Sequence, residues 1–104
     1  MNTTQFSRTA KALADPRRFE ILEAIASTHE SDCSTLVDKF PICQATVSHH
    51  LKELANAELI TVRREGQHCY YQFCPEVLEE YIAELHRRTT GRQVIVTEAE
   101  AIAR

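Results

Sequence analysis

Between Gln44 and Phe73 the apolar pattern switches from a helical period to a strand period, a short helix followed at once by a β-hairpin. Val47, Leu51 and Leu54 recur at i, i+4 and i+7, one stripe of a helix predicted from Gln44 to about Ala57. Gln44, Ser48, His49 and Lys52 fall away from that stripe. Leu59 to Arg64 then reads as a strand, and Glu65-Gly66-Gln67 as a turn, because Gly66 is free to take positive φ. In the return strand His68–Phe73, Cys69, Tyr71 and Phe73 share one face, and His68, Tyr70 and Gln72 the other.

Upstream, a first helix is predicted over about Thr4–Ala14, with Phe6, Ala10, Leu13 and Ala14 inward. Asp15-Pro16 reads as N-cap and first helical position, since Asp accepts from orphan N–H groups and Pro has none to satisfy. The second helix covers Arg17 to about Ser27, with Phe19, Ile21, Leu22, Ile25 and Ala26 as a broad apolar face. Ser31 or Asp32 caps a short third helix, about Cys33–Phe40, with Leu36, Val37 and Phe40 inward. Pro41 stops it, leaving Pro41-Ile42-Cys43 as a three-residue turn. Two helices joined by so short a turn form a helix-turn-helix unit. With the hairpin behind it, the expected fold is a winged helix-turn-helix: mainly α with a β-hairpin, in the order α-α-α-α-β-β-α. A last helix, about Glu76–Arg88, carries the stripe Val77, Leu78, Tyr81, Ile82 and Leu85, and Thr89-Thr90-Gly91 ends it. The expected organisation is one DNA-binding and dimerisation domain over 1–90 and a C-terminal tail over 91–104, with room for a short helix from Thr97.

A chain of 104 residues has a modest core, so dimerisation is a reasonable expectation. Its net charge of −3 argues against non-specific nucleic-acid binding, but local charge governs specific contacts. Lys52, Arg63 and Arg64 balance Glu53, Glu58 and Glu65 within the Gln44–Phe73 unit, and the acidic excess lies elsewhere. No apolar run is long enough to span a membrane, and the N-terminus lacks a signal-peptide core, so a cytoplasmic location is expected. There Cys33, Cys43, Cys69 and Cys74 are expected as thiols, metal ligands or redox sensors rather than structural disulfides. No two of them have the spacing of a zinc or iron–sulfur motif. The chain has no Gly-rich phosphate loop and no nucleophile with a base at motif spacing, so enzymatic activity and a required cofactor are not expected.

Ala12-Leu13-Ala14-Asp15-Pro16-Arg17-Arg18, Gln44 to Leu51, Leu59-Ile60, Arg63 to Gly66 and Tyr70-Tyr71 together resemble the ArsR/SmtB family of bacterial transcriptional repressors. The match is collinear over roughly residues 6 to 88. The resemblance implies a homodimer through the first and last helices. It also implies double-stranded operator DNA bound as an inverted repeat and released when an inducer binds. The predicted reading residues are Gln44, Thr46, Ser48 and His49 in the major groove, with Lys52 at a phosphate. Arg63, Arg64 and Gln67 are the wing candidates. His50 reads equally as structural or as a contact.

The sensing sites depart from the family pattern. Members that sense soft metals often carry Cys-X-Cys ahead of Asp-Leu on the third helix, whereas here the register gives Asp32-Cys33-Ser34-Thr35-Leu36. The last helix offers Glu79, Glu80, Glu84 and His86 without the Asp-X-His opening of the other frequent site. The metal question therefore stays open. Cys43 stands where the family usually has a capping Ser, and a thiol at a helix N-terminus has a lowered pKa. The sensing candidates are Cys43 and, with it, Cys33, as a thiol switch; the alternative is inert packing. Two functions remain open at this level. One is a dimeric repressor released by an inducer or by thiol modification. The other is a thiol- or metal-binding protein-interaction module on a winged-helix scaffold that does not bind DNA.

Overall fold

The computed structural model describes residues 1–90; the expected tail, with its short helix from Thr97, lies outside the described residues. Five helices and three strands follow in order: α1 Thr3–Ala14, α2 Pro16–Ala26, β1 Ser31–Asp32, α3 Cys33–Lys39, α4 Gln44–Asn56, β2 Ile60–Glu65, β3 His68–Phe73 and α5 Pro75–Thr90. Every predicted helix is present, with no end displaced by more than two residues.

The helix starts follow from short polar caps. Asn2 accepts from the Gln5 amide at 2.8 Å, Asp15 from the Arg18 amide at 2.9 Å, and Asp32 from the Ser34 amide at 3.1 Å. α4 ends differently. Glu58 takes φ 64°, the Glu58 amide donates to the Ala55 carbonyl at 2.9 Å, and the Leu59 amide to the Leu54 carbonyl at 3.1 Å. This is a Schellman ending with glutamate where glycine is usual, and the fully buried Leu54 and Leu59 supply its apolar contact. It fixes the angle at which the chain leaves α4 for the hairpin.

The hairpin is one strand richer than expected. β1 pairs with β3 through Ser31↔Tyr71 and Asp32↔Tyr70, giving a three-stranded antiparallel sheet in the order β1-β3-β2. A two-residue strand is too short to show a period in the sequence. The β2–β3 turn is also tighter than expected, with Gly66 (φ 62°) and Gln67 between Glu65 and His68. Positive φ at the first central position alone is the pattern of a type II′ hairpin turn.

The core joins Ile21, Leu22 and Ile25 of α2, Leu36 of α3, Val47, Leu51 and Leu54 of α4, and Ile60 and Tyr71 of the sheet. Three residues expected on inward faces, Ala14, Phe19 and Ala26, are exposed. Phe19 remains exposed, because Ile21 rather than Phe19 joins Leu22 and Ile25 on the buried side of α2. Cys74 is buried at the sheet end, where its amide donates to the Leu59 carbonyl at 2.9 Å. On α5, Val77 and Leu78 pack on the core, while Ile82 (55% exposed) and Leu85 (41%) stay uncovered in the single chain.

α5 is held to α1 by a compact polar–aromatic cluster. Phe6 and Tyr81 stack with centroids 5.1 Å apart, and the Arg88 guanidinium lies 4.3 Å above the Phe6 ring. Arg88 also donates to Glu84 at 2.7 Å and to the Thr3 hydroxyl at 3.1 Å, and Arg87 donates to the same carboxylate. The two guanidinium groups, Arg87 first, pull the Glu84 carboxyl down to about 2.

Candidate nucleic-acid interface

α4 buries Val47, His50, Leu51 and Leu54 and turns its other faces to solvent. Gln44, Thr46, Ser48, His49 and Lys52 are all exposed. They are not equivalent in position. Gln44 lines a cleft with Gln67 of the hairpin turn, and Ser48 and Lys52 line a second cleft with Arg64 of β2. Asn56 and Val62, absent from the sequence expectations, line that second cleft too. The spacing 48, 52, 56 carried the signal for Asn56, since residues four apart share a helix face. Thr46 and His49 lie outside both clefts; the Thr46 hydroxyl is 3.2 Å from the Cys43 sulfur.

Strand register separates the two wing arginines. Val62 pairs with Tyr71 and Arg64 with Cys69 on the face toward α4, whereas Arg63 pairs with Tyr70 on the other. There Glu30 holds Arg63 in a fork with distances of 2.8 and 3.2 Å, Glu65 adds a third partner, and the guanidinium lies 4.5 Å above the Tyr70 ring. The fork pushes the Arg63 pKa up, and the same guanidinium lowers that of Glu30. The structure thus brings Arg64 and Gln67 beside the exposed side of α4 and sets Arg63 apart.

His50 packs inside, 7% exposed, and its Nδ1 has no hydrogen-bond partner. Burial lowers its pKa, partly opposed by the nearby Asp15 carboxylate. Among the two open readings of His50 the geometry gives the structural one.

Cys43 is the N-cap of α4 and makes no side-chain cap bond to the helix amides. It is exposed. The Thr46 hydroxyl first, then the Thr46 and Ala45 amides, lower its thiol pKa. Cys33 does not share that setting: it sits beside Tyr71 and Cys69, and burial pushes its thiol up. The two candidate thiols thus differ in setting, Cys43 exposed at the start of α4 and Cys33 half-buried beside the sheet. Among the described residues, no group of three or more His, Cys, Asp or Glu side chains is placed to hold a metal ion.

A short helix anchored by one apolar stripe, preceded by a turn and a capped helix, with a hairpin flanking its polar side, defines a winged helix-turn-helix DNA-binding regulator. Known proteins agree. Residues 15–62 match the family described as "Bacterial regulatory protein, arsR family". The arsenical resistance operon repressor of Staphylococcus aureus is 33% identical over 93 residues, covering 89% of this chain and 88% of that protein. The transcriptional repressor SdpR of Bacillus subtilis is 35% identical over 72 residues, covering 69% of this chain and 79% of that protein. In fold, the chain matches an ArsR-like transcriptional regulator from Rhodococcus sp. RHA1 with a TM-score of 0.80 at 21% identity, over 96% of this chain and 93% of that one. The chain belongs to the ArsR family of bacterial regulatory proteins. It is a DNA-binding transcriptional repressor by that membership.

Proposed function

We propose that two copies of this chain bind a two-fold operator, each laying α4 in a major groove, and block transcription until an inducer releases them. The observation that carries this reading is the pairing of the exposed row Gln44, Ser48 and Lys52 with Gln67 and Arg64 of the wing across shared clefts. Gln44 has the two-pronged amide that matches adenine, and Lys52 and Arg64 supply charge for phosphates. Thr46, His49 and Arg63 remain contacts in this proposal, with Thr46 and His49 on the far side of α4 and Arg63 reaching DNA only by leaving Glu30. The homodimer joins α1 and α5, where Ile82 and Leu85 are uncovered. A Mycobacterium bovis structure of a possible ArsR-family regulator, described as a homodimeric winged helix-turn-helix DNA-binding domain, supports a homodimer, with a TM-score of 0.67 at 27% identity over 84% of this chain and 81% of that one. No described helix is long and apolar enough to cross a membrane. A DNA-reading role places the chain in the cytoplasm.

The test is operator affinity. Gln44→Ala and Ser48→Ala chains are each expected to lose about 1–3 kcal/mol at the specific site while keeping the parent's circular dichroism. Parental affinity in both would remove α4 from the reading role.

Release through Cys43 is the finer part of the proposal. The exposed thiol with a lowered pKa adjoins Gln44, so a group attached to it stands at the entry of α4 into the groove. Alkylation is expected to weaken operator binding in the parent and leave Cys43→Ser unchanged; equal loss in both would exclude Cys43.

A further inference from the structure

The two half-buried thiols Cys33 and Cys69 line the same clefts at the join between the helix-turn-helix and the wing. Antiparallel pairing sets Ser31 opposite Tyr71 and Asp32 opposite Tyr70. One step further along both chains brings Cys33 level with Cys69. Cys33 is the first residue of α3, but its Cα is placed by the backbone of Asp32, which is still extended at φ −78° and ψ 140°. The strand register therefore carries through to it. Opposed Cα atoms in an antiparallel pair lie about 4.5–5.5 Å apart. A disulfide asks for a Cα separation of about 4.4–6.8 Å.

Parity gives the direction. Cys33 follows Ser31 by two residues and Cys69 precedes Tyr71 by two, so both fall on the inner face of the sheet. Consistently, both line each of the two clefts between the wing and the helix-turn-helix, about 560 and about 730 Å³. Each thiol is neither sealed nor fully exposed. Cys33, Cys69 and Tyr71 act electrostatically on one another, with Cys33 held up by burial and Tyr71 raised to about 12 by burial and the two thiols.

We propose that Cys33 and Cys69 form a modification site, a dithiol that closes to a disulfide by exchange with a low-molecular-weight disulfide of the glutathione class. One thiolate attacks a sulfur of the small disulfide, whose S–S bond breaks and releases the first small thiol. The second cysteine then attacks the protein sulfur of the mixed disulfide and releases the second small thiol. Two thiol protons of the protein end on the two small thiols, and the pair of electrons passes to the reagent. The new S–S bond ties the first turn of α3 to β3 and restrains the gap between α4 and the wing. This site is separate from Cys43 and does not depend on which DNA the protein reads.

The experiment is disulfide mapping of the full-length protein after incubation with oxidised glutathione, alkylation and tryptic digestion. The expected product links the peptide Phe19–Lys39 to Glu65–Arg87, with fragmentation placing the bond at Cys69 rather than Cys74. The link is expected to disappear with dithiothreitol, to survive in Cys43→Ser, and to be absent in Cys33→Ser and Cys69→Ser. Because the mapping is done on the parent chain, it does not rely on any variant folding. A bond from Cys33 to Cys43 or Cys74, or glutathione left on either thiol with no internal bond, would overturn the proposal.

Discussion

Glu58 carries the backbone conformation that ends α4, with no aid from its side-chain type. A left-handed non-glycine residue costs about 1–2 kcal/mol, of which glycine would recover part against its greater freedom when unfolded. Glu58→Gly is therefore expected to raise unfolding stability by about 0.5–1 kcal/mol in a urea titration; a loss would mean that Glu58 makes a favourable interaction outweighing its strain. His50 sets a pH dependence. Burial lowers its folded pKa below the ordinary 6.5, so the unfolded chain binds the proton first. Its contribution is complete above 6.5 and is lost as pH falls from there through the folded value. The thermal midpoint is expected to drop on acidification across this window, with a smaller drop in His50→Leu; parallel drops would assign the effect elsewhere. Glu84, held near 2 by Arg87 and Arg88, acts in a separate window, present above 4.5 and lost below it.

At the scale of elements, the wing makes the discriminating case. Arg63 and Arg64 are neighbours in sequence, yet strand alternation sends them to opposite faces. Arg64→Ala is expected to reduce the slope of log affinity against log salt by about one, the signature of one lost phosphate contact. Arg63→Ala is expected to change that slope less than Arg64→Ala does, because Arg63 reaches DNA only by giving up its pairs with Glu30 and Glu65. A reversed pattern would mean that the wing turns over on DNA. The same pair shows what a sequence discloses. The helices were legible because caps such as Asp15 and stops such as Pro41 act within a few residues, and their stripes repeat. Glu30's hold on Arg63 was not, since it joins residues 33 positions apart through β1, a strand of two residues. Phe19 misled because two overlapping apolar stripes run along α2 and only packing chooses between them. The exposed side of α4 was readable from period alone, whereas its division between Gln44, Ser48 and Lys52 toward the wing and Thr46 and His49 away from it required the hairpin's position.

In the whole molecule, two distinct surfaces sit on one small core. α4 and the wing present polar side chains over shared clefts, while α1 and α5 are fastened together by Phe6, Tyr81, Glu84 and Arg88 with Ile82 and Leu85 left uncovered. An association through the second surface sets the spacing of two copies of the first. The net charge of −3 then matters little at the DNA, because the acidic residues of α5 lie on a different element from Lys52 and Arg64. The central claim is that paired α4 helices read a two-fold site, and hydroxyl-radical footprinting on DNA upstream of the chain's own gene tests it most directly. The expected result is two symmetric protected segments whose centres lie about one helical turn, or a multiple of it, apart. They should fade as salt rises and be lost at lower salt with Gln44→Ala. Protection that is absent at every salt concentration, or that is asymmetric and identical in Gln44→Ala, would contradict it.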